Sequence, residues 1–242
     1  VNNNPGGNNT SPATLQSYVS NLFIHHNAAA GILLSGYQGS RKTQLVSPGG
    51  PLSLSIQNNT GAAIEYASST PAEIVGPAVV EESGNRYGIE VDWGGWNAPV
   101  RFYNVGAPYF IANKDWLSSG LTISAGASLT VDSGTELYLF SPLTVNGLVT
   151  FEPGAKVRIG RVYNTQYVCQ LCGSFKVEGT MTAVGTEAQP ILFTSYLDRP
   201  GSTLPAARGD WEQMLIGNDG ASSVTMDHCI VRYGGLGGYT PM

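Results

Sequence analysis

The sequence predicts an all-β solenoid, in which short parallel strands coil through one rung per repeat. Three observations predict it: internal self-similarity at offsets of 28 and 32 residues, short runs of alternating apolar residues, and a surface of Gly, Asn, Ser and Thr with little charge.

The self-similarity fixes the elements in order. "LTISAGASLTV" (Leu121 to Val131) aligns without gaps on "VTFEPGAKVRI" (Val149 to Ile159) at an offset of 28, with Thr122/Thr150, Gly126/Gly154 and Ala127/Ala155 identical. "LTVNGLVT" from Leu143 aligns on "FKVEGTMT" from Phe175 at an offset of 32, matching Val145/Val177, Gly147/Gly179 and Thr150/Thr182. "IHHNAAAGI" from Ile24 aligns on "IQNNTGAAI" from Ile56 at the same offset, placing Asn27 on Asn59. Within each unit, apolar residues alternate over a few positions and then meet Gly, Asn or Pro. Period-two alternation reads as a strand with one buried face. Recurrence every few dozen residues reads as stacked rungs. Stacking places Asn27 and Asn59 in one step of an amide ladder. Leu129, Val131, Val157, Ile159, Val177, Met226 and Val231 are expected to point inward.

Composition narrows the class. Charged residues make up 12% of the chain, Gly contributes 31 positions and 42% of residues are hydrophobic. Such a chain favours turns and strands over exposed helices, and its regular apolar content argues against disorder. The net charge is −5, from 17 acids and 12 bases. With no basic run, nucleic acid and anionic membranes are not expected partners. No apolar run is long enough to span a bilayer. No signal-peptide pattern stands at Val1, so an exported chain would be read here in processed or partial form. Low charge and the sequons at Asn8, Asn9 and Asn58, read as glycosylation sites, favour an extracellular or cell-surface setting. The three cysteines form no full disulfide framework.

Specific segments carry a resemblance. "APYFIANKDWLSSGLTISAGASLTV", "FEPGAKVRI", "FKVEGTMTAVGTEAQPILFTS" and "RGDWEQMLIGNDGASSVTMDHCIVRYGG" resemble right-handed parallel β-helix modules of secreted and cell-surface microbial proteins. "VSNLFIHHNAAAGILLSG" resembles a further repeat of the same superfamily. The resemblance covers about two thirds of the chain and implies fold far more than chemistry. It also implies that the chain reads cyclically. "MDHCIV" (Met226 to Val231) aligns on "VSNLFI" (Val19 to Ile24), matching Met226/Val19, Cys229/Leu22 and Val231/Ile24. These six residues are the expected self-assembly interface. The whole of 1–242 is read as one β-helix unit, with N-terminal rungs over 1–98 and C-terminal rungs over 99–242. It is expected to belong to a longer chain or to copies stacked head to tail, with a plain fragment as the alternative.

Candidate chemistry is sparse. "MDHC" is similar to the W-I-D-H segment of pectate lyases, but the Trp is missing and no acidic cluster for calcium lies at rung spacing. The N-T-D, D-D, G-H-G and R-I-K combination of β-helix polygalacturonases is absent. Adjacent Glu81 and Glu82 would face opposite sides of a strand, whereas Glu90 and Asp92 could share one. Trp93 and Trp96 are candidates for stacking on sugar rings, against a competing role in packing. Cys169 and Cys172 form a lone CxxC, which lacks the further ligands of a zinc site and suits a local disulfide in a loop. Cys229 reads as a core residue. The expected function is a non-enzymatic structural unit of an extracellular filament, fibre or surface protein, without cofactor or metal. Its partner is a second copy of itself, and surface glycans are a further candidate partner. The alternative is a polysaccharide lyase or hydrolase, or a glycan-binding module.

Overall fold

The computed structural model describes residues 15–18, 21–35, 42–47, 52–67, 71–75, 78–112, 120–163, 169–217 and 222–235. These are all strand, turn or loop, with no helix among them. Strands come in threes along the chain. The first unit is β1 (Leu15–Tyr18), β2 (Leu22–His25) and β3 (Ile32–Leu34), and the second is β4 (Thr43–Val46), β5 (Leu52–Gln57) and β6 (Ala62–Tyr66). The third is β7 (Ala72–Val75), β8 (Ala78–Ser83) and β9 (Tyr87–Val91), and the fourth is β10 (Gly94–Trp96), β11 (Val100–Phe102) and β12 (Tyr109–Ile111). The fifth is β13 (Leu121–Ile123), β14 (Ser128–Val131) and β15 (Glu136–Leu139), and the sixth is β16 (Leu143–Val145), β17 (Leu148–Phe151) and β18 (Lys156–Ile159). A pair, β19 (Arg161–Tyr163) and β20 (Cys169–Cys172), interrupts the series. The seventh unit is β21 (Phe175–Val177), β22 (Thr180–Val184) and β23 (Ile191–Ser195), and the eighth is β24 (Met214–Ile216), β25 (Ser223–Asp227) and β26 (Cys229–Val231).

Except where the first and second strands change sheets between the third and fourth units, each strand of a unit pairs in parallel with its counterpart in the next. One long sheet takes the third strand of every unit, in the order β3-β6-β9-β12-β15-β18-β23-β26. The first and second strands form the sheets β1-β4-β7 and β2-β5-β8 in the first three units. In the last five they form β10-β13-β16-β21-β24 and β11-β14-β17-β22-β25. Among the described residues the one antiparallel pairing is β19 with β20.

Register stacks like on like, which is how alternation in sequence becomes a core. Along the long sheet, Ile64, Ile89, Tyr109, Leu137, Val157 and Phe193 form one inward row, and all are fully buried. Burial of each such side chain stabilises the fold by about 1.5–3 kcal/mol. Leu129, Val131, Val157, Ile159 and Val177 are buried as expected. Met226 is only half-buried and Val231 is 53% exposed. Val231 continues the inward row beyond Phe193, so it points inward as expected, and it is exposed because β26 has a described neighbour on one side only.

The repeats behave unequally. The 32-residue offsets are true registers: Leu143 pairs with Phe175, Val145 with Val177 and Ile24 with Ile56. The 28-residue offset is not. Leu129 pairs with Val149 and Leu137 with Val157, an offset of 20, and Leu121 pairs with Leu143, an offset of 22. What repeats at 28 is a corner. Gly126 and Gly154 take φ of 83° and 80° between successive strands, in two different sheets. That left-handed conformation disfavours side chains, so the same G-A pair recurs wherever this corner is built.

The two sets of sheets change over between the third and fourth units. There β7 lies against β11, and the Arg101 backbone N–H donates to Glu73 Oε2 at 3.0 Å. The second set opens at Gly94, so Trp96 belongs to it, and the change of sheets precedes residue 98.

Candidate functional site

On the long sheet, residues alternating with the inward row point to the other face, which would ordinarily meet water. Here that face is covered. Glu90, Phe110, Tyr138, Arg158 and Thr194 stand in one row, and each is less than a tenth exposed. Two devices cover it. Phe110, Tyr138 and Phe140 form an aromatic cluster flanked by Tyr87 and Tyr196, with Phe110 and Tyr138 stacked at 4.6 Å. Beyond it, the segment 196–211 folds over the sheet. Asp210 fastens that segment, accepting from the Ser195 hydroxyl at 2.6 Å and from the Ala207 N–H at 2.9 Å. Buried Trp211 donates its indole N–H to the Arg232 carbonyl at 2.9 Å.

Between this segment and the sheet lies an open cleft of about 690 Å³, lined on the sheet side by Lys156 and Arg158 and on the loop side by Asp198, Arg199 and Arg232. Glu136 sits beside it. Its carboxylate accepts from Lys156 Nζ at 2.9 Å and from the Tyr138 hydroxyl at 2.8 Å, and lies 3.5 Å from Arg158 Nε. Burial alone would raise the Glu136 carboxyl, but the Lys156 and Tyr138 hydrogen bonds and the Arg158 charge hold it below its ordinary value. Asp198 accepts from Thr194 at 2.6 Å and from Arg232 Nη2 at 2.5 Å. Burial opposes its ionisation too, and the same hydrogen bonds with the charges of Arg232 and Arg158 bring it below the usual carboxylate range. Burial and the Glu136 carboxylate push the Tyr138 phenol well up, so it is a hydrogen-bond donor at neutral pH. The arrangement can hold negative charge; the residues beside it are ion-paired carboxylates and a neutral phenol.

Apart from Glu90, none of these residues was a candidate from sequence, although a signal was present. "LYLF" and "YFI" are continuous apolar runs rather than alternating ones, as expected of strands covered on both faces.

The sequence-derived candidates lie elsewhere. Met226 belongs to β25 and Cys229 and Val231 to β26, in different sheets, with His228 at φ 47° between them. Leu22 and Ile24 are half-buried in β2, preceded by Asn21 at φ 50°. "MDHCIV" is therefore a corner and not a single strand. Asn21 and His228, which correspond in the alignment, share its left-handed conformation. Val19 lies outside the described residues, as do Asn8 and Asn9. Asn58 is exposed at a corner, with φ 55°. Trp93 is 38% exposed, but Trp96 is 1% exposed, packed edge-on against Phe102 in the core, so it presents no face to a sugar.

Cys169 and Cys172 occupy the two ends of β20, not a loop. Their side chains lie outside the described residues, and so does the expected bridge between them. Cys229 is a half-buried free thiol whose Sγ contacts the Ala183 carbonyl at 3.2 Å, and burial raises its pKa. Asp227 and His228 pair with each other at an exposed corner, 3.0 Å apart. Glu81 points outward, whereas Glu82 takes the register position of inward-facing Ile56, so the two do face opposite sides. Glu90 is buried and Asp92 half-buried. No group of three His, Cys, Asp or Glu side chains suited to a metal ion occurs among the described residues.

No protein-family model matches the chain, and the searches of curated proteins and of solved structures found no match to it.

Proposed function

We propose that the chain is a structural unit of an extracellular filament, fibre or surface protein: a right-handed parallel β-helix whose end rungs are covered by further rungs of the same kind, from a second copy or from continuing chain. One observation carries this reading. The outermost strands at both extremes of the described structure leave inward rows uncovered. Ile216 and Val231 are 46% and 53% exposed on the eighth unit, and Leu22, Ile24 and Ile32 are only half-buried on the first. An apolar rung with unpaired N–H and C=O groups along its edge is a template for another strand. Right-handedness follows from the general rule for parallel crossovers. The shared left-handed corners at Asn21 and His228 support the alignment of the two ends. A head-to-tail contact that does not close on itself produces an open filament.

The carboxylates suit this reading better than an enzymatic one. Glu81 and Glu82 diverge, and Glu136 and Asp198 are each engaged by cations. Light scattering and negative-stain imaging of the wild type beside Ile24→Lys and Val231→Lys test the proposal. Concentration-dependent wild-type fibres that both variants abolish, with strand content by circular dichroism unchanged, support it. A wild-type chain that stays monomeric at every concentration, together with product release from uronate-containing polysaccharides, overturns it in favour of the lyase or hydrolase alternative.

A further inference from the structure

The cleft over the long sheet has an imbalance of charge that its own residues do not resolve. Four cations, Lys156, Arg158, Arg199 and Arg232, line it. Two carboxylates, Glu136 and Asp198, pair with Lys156 and Arg232 at 2.9 and 2.5 Å. Glu136 also lies 3.5 Å from Arg158 Nε and is shared between Lys156 and Arg158, so the four cations together carry an excess of two positive charges. The hydrogen-bond pattern singles out Arg158 and Arg199. Arg158 Nε and Nη1 and Arg199 Nε are buried and take no hydrogen-bond partner. The Arg158 side chain is only 5% exposed. Arg199 is fixed by its guanidinium lying 3.8 Å over the Tyr196 ring. Burial of guanidinium donors without acceptors is costly, and an anion supplying those acceptors removes the cost.

We propose that this cleft binds an oxoanionic group, a sulfate, phosphate or carboxylate, held between the guanidinium groups of Arg158 and Arg199. Arginine suits this role because its planar fork matches the oxygen spacing of such anions. Leu197, Leu204, Pro205 and Tyr233 also line the cleft and supply an apolar wall for the carbon skeleton that carries the anion. The opening of the cleft admits a group carried on a larger molecule as well as a free ion. The cleft opens on the outer face of the long sheet, opposite the inward rows that end-to-end stacking would cover, although Arg232 and Tyr233 bring it up to the last strand.

The test is a thermal melt of the intact chain against sodium sulfate, sodium phosphate and sodium acetate, each compared with sodium chloride at equal ionic strength. Retention on a sulfated and on a carboxylated polysaccharide column forms the second arm. A ligand that binds only the folded chain raises its melting temperature in a saturable way. The expected result is such a rise, with affinity falling about tenfold or more in Arg158→Met and in Arg199→Gln. Lys176→Gln, a cation on another sheet, should bind as the wild type does. Arg199 lies in the covering loop, so its variant preserves the sheets even where Arg158→Met fails to fold. Without anion, Arg158→Met should melt no lower than the wild type, because it removes an incompletely partnered buried charge; a purely structural arginine would give a lower value. A response to inorganic ions alone identifies a free anion as the ligand, and retention on a polymer identifies a polymer-borne group. Identical melts in all four salts with no retention, or undiminished binding by Arg199→Gln, overturns the proposal.

Discussion

The first three units and the last five hold the same parallel register by different means. In the first three, register is written in side chains at one corner. Asn59 Oδ1 accepts from the backbone N–H and Nδ2 of Asn27, at 2.9 and 2.8 Å. Asn59 in turn donates its own N–H and Nδ2 to Asn85 Oδ1, at 3.0 and 2.9 Å. The ladder ends where Asn85 Nδ2 donates to the Ile56 carbonyl at 2.7 Å. In the last five units the corners are backbone work. The Gly147 and Gly179 N–H groups donate to the Ile123 and Val145 carbonyls of the preceding unit at 3.0 and 2.8 Å, where a Cβ would meet backbone 2.2 Å away. Aromatic packing replaces the amides inside, with Phe151 edge-on to Phe193 at 5.3 Å. An amide ladder fixes one residue type at one position in every unit. Glycine corners with an apolar core tolerate loops of different length between units, and the paired insertion β19–β20 falls in this half.

This difference can be broken or sharpened by substitution. The largest effect belongs to the shared apolar row. Val157→Asp buries an unpaired charge at a fully covered position, costing several kcal/mol, on the order of a whole domain's stability. The variant should fail to give a cooperative melt, whereas Val231→Asp, at the open end of the same row, should melt almost normally. A soluble Val157→Asp chain with a wild-type melt contradicts the inward assignment.

The two ways of building a corner should separate next. Asn59→Ala strips acceptors from Asn27 and donors from Asn85, and it should cost about 1–3 kcal/mol in urea unfolding. Gly126→Ala, at a left-handed corner with open space around the added methyl, carries only the conformational term of about 1 kcal/mol. Equal costs at the two sites would mean that the amide ladder adds nothing beyond its corner.

Acid should distinguish the halves as well. Glu136 and Asp198, both in the later units, have folded pKa values below their ordinary 4.5 and 3.8. A lowered acid contributes stability that is fully present above its unfolded value and is lost as pH falls through the folded one. Urea midpoints should therefore drop between about pH 5 and pH 3, and the drop should be smaller in the double variant Glu136→Gln, Asp198→Asn. The Asn ladder does not titrate and should not contribute to this slope. The smallest effect is expected at exposed outward positions of the first units. Phe23→Thr on β2 should change stability by no more than about 0.5 kcal/mol.

The parallel register was legible where identical side chains meet across units of equal, 32-residue spacing. Asn27 on Asn59 and Val145 on Val177 were both readable because stacking rewards identity. Asn85, the third step of the ladder, was not, because the intervening segment is shorter by six residues and hides the match. The 28-residue repeat misled because a corner motif recurs more often than a unit does. The cleft was invisible for another reason. Arg158 looks like any outward residue of a strand until the segment 196–211, distant in sequence, folds over it. Period-two alternation reports which face a side chain takes, and only tertiary structure reports what covers that face.

The central claim is that the third strands of all eight units lie side by side in one parallel sheet. Spin labels at Leu33 on β3 and Ile230 on β26, both outward and exposed, measure it directly in a chain with its three native cysteines replaced. Seven strand spacings of about 4.8 Å predict a single narrow distance near 34 Å. A separation below about 20 Å, or a broad distribution without a maximum, would contradict one continuous sheet of this order.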